Sequence, residues 1–243
     1  MDPLPASCRP PDEAAAYALQ DALHDALTGT GFGPLAGYKI GCTTPVMQRF
    51  LGIDHPCAGG LFEGTLRRGR GVFAHADFNR VGVECEIAVR LARDLPAAGA
   101  PYSRDGAAAA VGALLAAIEV VDDRYRDYRA FDVATLISDD FFNAAAVLGP
   151  PRADWQGLDL PALGGRMAID GREVAGGRGA DIMGHPLEAL AWLANALAAR
   201  GRALTAGTVV LLGSVVETRW PEAGQTVAIE IDGLGTAEAV FAA

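Results

Sequence analysis

The chain has 243 residues, 51% apolar and 21% charged, which is enough for one large domain with a substantial interior. Its net charge of −10 argues against nucleic acid or an anionic membrane surface as partner. No apolar run approaches the roughly 18 residues of a membrane-spanning helix.

At the N-terminus, Met-Asp-Pro-Leu-Pro lacks the basic start and apolar stretch of a secretion signal. Residues 11–27 predict a helix, with Pro11 and acids early and Ala16, Leu19, Leu23 and Leu27 on one face. Gly29, Gly31 and Gly33 end it. Gly31-Phe32-Gly33 is not read as a nucleotide loop, because it follows a helix and is succeeded by Pro34. From Gly37 the texture changes to short apolar runs split by Gly, Pro and Asp, which predict strands. Val81, Val83, Cys85, Ile87, Val89 and Leu91 alternate with Gly82, Glu84, Glu86, Ala88, Arg90 and Ala92, a period-2 pattern. Residues 105–117 predict a helix leading into a strand at Ile118–Val121. A second helix is predicted over 186–200, with Pro186 in its first turn and Gly201 after its end. The Gly-rich piece around 164–180 reads as hairpins and a loop. Strands are predicted at Thr208–Leu212, Thr226–Ile231 and Ala237–Phe241. Together these elements predict a strand-dominated α+β fold, with an N-terminal helical segment over 1–36 and one structural unit over 37–243.

Nineteen of the twenty basic residues are arginine, and the one lysine is Lys39, within Gly-Tyr-Lys-Ile-Gly. An ammonium is a compact charge that can give up a proton when desolvated, which a guanidinium cannot do. Glu84 and Glu86 lie two apart on one strand face, roughly 6.6 Å along the chain, close enough to share a divalent cation. A charged, solvated strand face is the competing reading. Glu119 stands in an apolar stretch, where a carboxylate is costly without a cation or donor. An acidic strand end with Asp122 and Asp123 competes there. Cys8, Cys42, Cys57 and Cys85 form no Cys-x-x-Cys pair and read as reduced thiols of a cytoplasmic protein. His185 reads as a helix-start element, and Arg124, Arg126 and Arg129 as partners of the neighbouring aspartates.

The stretches GYKIGCTTPVMQRFLGIDHP (37–56), VGVECEIAVRLARDL (81–95) and AAIEVVDDRYRDYR (116–129) together resemble the fumarylacetoacetate hydrolase superfamily. The matches continue with ADIMGHPLEALAWLANAL (180–197) and GTVVLLGS followed by PEAGQTVAIEIDGLG within 207–235. The branch resembled contains 2-keto-4-pentenoate hydratases and 4-oxalocrotonate decarboxylases. The resemblance implies a mixed β-sandwich or β-roll with the site at one open end, and homo-oligomers. It implies Glu84, Glu86 and Glu119 as ligands of Mg²⁺ or Mn²⁺, and Lys39, Ser214 and Asp139 as catalytic residues. The implied reaction adds water to a 2-hydroxy-2,4-dienoate or 2-oxo-alkenoate. Decarboxylation of a vinylogous 2-oxo acid, hydrolysis of an acylpyruvate, a Schiff base at Lys39 and a non-catalytic binding homologue are the alternatives. The chain departs from the pattern at Cys57, where an acid is expected, and at Asp140, where asparagine is expected. Phe141, Phe142 and Asn143 stand where small residues are usual.

Overall fold

The computed structural model describes Met1 and residues 5–243, so the expectation drawn from the N-terminal stretch falls largely outside it. In chain order the elements are α1 (Glu13–Thr28), β1 (Leu35–Gly41), α2 (Pro45–Leu51), β2 (Cys57–Phe62), β3 (Leu66–Arg68), β4 (Arg70–Ala74) and β5 (Val81–Leu91). Then come α3 (Arg104–Ala108), β6 (Val111–Asp122), α4 (Val133–Ser138), β7 (Asn143–Leu148), β8 (Gly164–Ile169) and β9 (Arg172–Arg178). The chain ends with α5 (Pro186–Ala198), β10 (Val209–Ser214), β11 (Thr226–Ile231) and β12 (Gly235–Ala242).

Two mixed sheets form the body. The larger runs β2-β1-β10-β5-β6-β7-β3, and the smaller runs β4-β12-β11-β8-β9. Strand β7 comes back against β2, so the larger sheet curls into a roll. Alternation along each strand sorts side chains to the two faces of that roll. The outer face carries Val83, Cys85, Ile87, Ile118, Val210 and Leu212, all essentially fully buried. It packs against β8, β11, β12 and α5 in one continuous core. The inner face carries Leu61, Ala88, Leu115, Ala117, Ala146 and Leu211 as a compact apolar plug. The alanines among them let the strands curve tightly without side-chain collision.

The register locates the polar residues on that same inner face. Glu84 pairs with Glu119 across β5 and β6, and Glu119 pairs with Ala146 on β7. Lys39 pairs with Leu211 on β10, which in turn pairs with Ala88. The roll interior is therefore apolar at one end and carries the lysine and carboxylates at the other. A solvated strand face does not describe Glu86 or Glu119, which are 1% and 0% exposed.

Two local expectations are corrected. The helix predicted over 105–117 stops at Ala108, and β6 begins at Val111. Ala113, Ala116 and Ala117 pair with β5, and Ala117 also pairs with β7, so tertiary pairing overrides their helix propensity. In α1 the buried face is Ala16, Gln20 and His24, while Leu19 is exposed. Gln20 Nε2 donates to Ala58 O at 2.8 Å and to Ile137 O at 2.7 Å, and His24 meets Asp140. Paired in this way, the polar residues can be buried in place of the leucines. Elsewhere the helix over Pro186–Ala198, with His185 Nδ1 accepting from Leu187 N–H, agrees with the sequence reading. No helix among the described residues is long and apolar enough to cross a membrane.

Candidate metal centre and its cavity

The open end of the roll leads into a cavity of about 1120 Å³, with Lys39, Glu84 and Ser214 in its lining. Glu84 lines it, and Glu86 and Glu119 lie buried beside Glu84; each of the three offers a carboxylate oxygen, and these oxygens lie within 4.8 Å of one another. Glu84 and Glu86 come from alternate positions of β5, and Glu119 from the facing position of β6. An i, i+2 pair and its cross-strand neighbour meet in this way wherever the strand register is fixed.

Each carboxylate is held by donors from elsewhere in the chain. Thr218 Oγ1 donates to Glu84 Oε1 at 2.5 Å. Gly213 N–H donates to Glu86 Oε2 at 2.7 Å. Asn143 Nδ2 donates to Glu119 Oε1 at 2.9 Å, and Lys39 Nζ lies 3.1 Å from the same oxygen. Gly213 reaches its position through a register shift in β10, between Leu211 and Ser214. Its φ of +128° favours glycine, and a Cβ there would stand 2.6 Å from Thr43 Oγ1. Glu119 Oε2 is buried and has no hydrogen-bond partner.

The electrostatics match a site built for a cation. Burial, then the neighbouring Glu119, raises the pKa of Glu84 above the ordinary carboxylate range, against the opposing effect of Lys39 and Thr218. Burial and the carboxylates of Glu119 and Glu84 raise Glu86 well above that range. Burial works against the charge of Lys39, but the three glutamates more than offset it and its pKa is raised. With all three carboxylates ionised, the ammonium of Lys39 offsets one charge and leaves two for a cation. All-oxygen donors of this charge suit a hard divalent ion such as Mg²⁺ or Mn²⁺. The unpartnered Glu119 Oε2 supplies one ligand atom that nothing else in the protein uses. By donor type, spacing and charge, the residues fit such an ion.

The remaining candidates separate. Ser214 lines the cavity, but its Oγ donates within the turn, 2.7 Å from Val216 O and 3.2 Å from Cys85 O. Asp139, the other residue expected to be catalytic, is engaged by its neighbours. Its Oδ2 accepts from Arg124 Nε and from Tyr125 OH, both at 3.0 Å, and it does not line the cavity. The neighbouring Asp140 meets His24 in the same way. Cys57 is fully buried beside Cys42, and a hydrogen bond to Cys42 together with burial pushes its thiol pKa up, away from a nucleophilic thiolate. All four cysteines are free.

Sequence reasoning missed Thr218 and Gly213 as holders of the glutamates. It met Asn143 only as a departure from a pattern. Their positions along the chain carry no signal, because the β10 irregularity and the β6–β7 register alone bring them to the carboxylates.

A second feature borders the cavity. Asp140, Phe141 and Phe142 have φ of +56°, +49° and +69°. Three consecutive non-glycine residues in the left-handed region each cost about 1–2 kcal/mol and persist only where the surroundings hold them. Arg124 spans the bend, donating to Asp139 O at 2.8 Å and to Asn143 O at 2.9 Å. Asp140 Oδ1 accepts from Gly60 N–H at 2.8 Å and lies 2.6 Å from His24 Nε2.

Comparison with known proteins places this architecture. The fumarylacetoacetate (FAA) hydrolase C-terminal family matches residues 63–242. A 2-keto-4-pentenoate hydratase from Burkholderia vietnamiensis is 38% identical over 98% of this chain and 90% of its own length. A second 2-keto-4-pentenoate hydratase, from Paraburkholderia phymatum, is 36% identical over the same shares. Among solved structures, 4-oxalocrotonate decarboxylase from Pseudomonas putida G7, complexed with magnesium and adipate, superposes with a TM-score of 0.88 at 28% identity. The match covers 95% of this chain and 86% of that one.

Proposed function

The chain belongs to the fumarylacetoacetate (FAA) hydrolase family, and on that premise we propose that it is a divalent-metal-dependent hydratase of 2-hydroxy-2,4-dienoates. The observation that carries this reading is the convergence of Glu84, Glu86 and Glu119 beside a buried Lys39, with Lys39 and Glu84 lining an accessible cavity.

Glu84, Glu86 and Glu119 would hold the cation through one oxygen each. When bound, such an ion supplies a Lewis acid for a 2-oxo acid, countering negative charge at the C2 oxygen. Thr218, Gly213 and Asn143 fix the carboxylates, so their orientation is set before substrate arrives. Lys39 is the proton carrier. Beside Glu119, it delivers a proton to the terminal carbon of the dienol and takes one back from the C2 hydroxyl, which restores the ammonium. The product of that step is a 2-oxo acid with a conjugated double bond. Water then adds across that bond, its oxygen to the carbon distal to the carbonyl and its proton to the carbon between them. The apolar plug behind the site excludes bulk water from the rear, so the attacking water enters from the cavity side.

Decarboxylation of a vinylogous 2-oxo acid is the second reading, favoured by the superposition on 4-oxalocrotonate decarboxylase. Both reactions need charge stabilised at the C2 oxygen and differ in what happens at the far carbons. The experiment is Mg²⁺-dependent decay of the ultraviolet absorbance of 2-hydroxypenta-2,4-dienoate, with the product identified by mass. A product heavier by one water supports hydration. Absence of turnover with every dienol tested, in protein that binds Mg²⁺, refutes it.

A further inference from the structure

We infer that Phe141 and Phe142 form a substrate-selecting wall that accepts a 2-oxo acid or dienoate with an alkyl or aryl distal end and rejects a distal carboxylate. This rests on the proposed binding of 2-oxo acids at the metal centre. Both rings line the cavity together with Tyr128, Val46 and Met47. The Phe141 centroid lies 5.6 Å from Lys39 Nζ, so the wall begins beside the proton carrier. Phe142 meets Phe141 edge-on at 5.8 Å and Tyr128 at 5.7 Å, extending the apolar surface outward.

Strained backbone that aims two large apolar side chains at a site is explained by a role at that site. The restraints on the bend have the same sense. Arg124 bridges the carbonyls of Asp139 and Asn143 on either side of it, and Asp140 is anchored to Gly60 and His24. Asn143, which closes the bend, also holds Glu119, so the wall and the metal centre are parts of one rigid unit. A carboxylate against these rings would be desolvated, and the cations near the wall already have partners: Lys39 Nζ lies 3.1 Å from Glu119 Oε1, and the Arg129 guanidinium lies over the Tyr128 ring, 5.5 Å from its centroid. Apart from Lys39, the lining contains one further cation, Arg219, which lies on the segment after β10 with Nη1 3.8 Å from Glu217. It is not part of the aromatic wall.

The test is calorimetric binding of stable saturated 2-oxo acids to the whole chain in Mg²⁺: 2-oxobutanoate, 2-oxo-4-phenylbutanoate and 2-oxoglutarate. The wild type is expected to bind the phenyl acid about tenfold more tightly than 2-oxobutanoate, and 2-oxoglutarate no more tightly than 2-oxobutanoate. Phe142→Ala should lower the phenyl-to-methyl affinity ratio to about threefold or less, and Phe142→Leu should keep an intermediate ratio. Mn²⁺ affinity serves to show that each variant is folded around its metal centre. Preference for 2-oxoglutarate overturns the inference, as does an affinity ratio that Phe142→Ala leaves unchanged, while the hydratase reading survives either result. Mg²⁺-independent binding, or binding of no 2-oxo acid, overturns both.

Discussion

Replacing Glu86 by glutamine should stabilise the metal-free protein and abolish its response to metal. Glu86 is buried, and its ligand oxygen lies within 4.8 Å of those of Glu84 and Glu119. At an effective dielectric near 20, two unit charges at that separation repel by about 3.5 kcal/mol. Two such repulsions act on Glu86. Proton uptake by the raised carboxylates relieves most of this in the wild type, which limits the recoverable gain to about 1–2 kcal/mol. The glutamine amide oxygen can still accept the Gly213 N–H now 2.7 Å from Oε2, so the local geometry survives. For a domain of this size the gain corresponds to a rise in Tm of about 2–8 °C in chelated buffer. Saturating Mg²⁺, at a hundred times Kd, should add about 2.7 kcal/mol to the wild type and raise its Tm by about 5–11 °C. The variant should show little of that rise. Scanning calorimetry in EDTA and in Mg²⁺ measures both quantities, with Glu230→Gln on the exposed face of β11 as the control. A Glu86→Gln protein that is less stable than wild type in EDTA and still gains stability from Mg²⁺ would refute the reasoning.

The holders of the carboxylates and the lysine give further expectations. Asn143→Ala should weaken Mn²⁺ binding by about 10–100-fold, because Glu119 loses the amide that orients it; calorimetric affinity equal to wild type contradicts that role. Lys39→Met should lower kcat by about 10²–10⁴-fold while the cation still binds, and Lys39→Arg should not restore activity. Full kcat in Lys39→Arg would reduce the lysine to a fixed charge. Cation affinity should increase with pH from the ordinary carboxylate value of 4.5 through the raised range of Glu84 and Glu86, since their protons must leave before metal enters. Titrations in two buffers of different ionisation enthalpy count those protons, and metal binding without proton release would count against the raised values.

Much of the site was legible in the sequence because its chemistry is local. Glu84 and Glu86 share a strand face by simple alternation, and Glu119 stands out as a lone carboxylate in an apolar run. Lys39 stands out as the one lysine. What alternation could not reveal is that both faces of β5 are buried: curling of the sheet turns the apparent solvent face into the roll interior, where Ala88 and Glu86 are as buried as Ile87. The same limit affected β6, whose alanines read as helix until pairing with β5 and β7 claimed them. In α1 the leucine stripe was misleading, because Gln20 and His24 have distant partners that no local pattern displays. The expectation for Asp139 comes from its position in a motif, which does not show the side chains that meet it, Arg124 and Tyr125. Thr218, Gly213 and Asn143 hold the glutamates only through the tertiary register.

The most direct measurement is diffraction from crystals grown with Mn²⁺, recorded at the manganese absorption edge. A single strong anomalous peak is expected beside the cavity, about 2.0–2.3 Å from one oxygen each of Glu84, Glu86 and Glu119, with Lys39 Nζ still beside Glu119. A peak bound elsewhere, or none there with the three carboxylates ordered and Mn²⁺ in excess, would contradict a metal centre at this site.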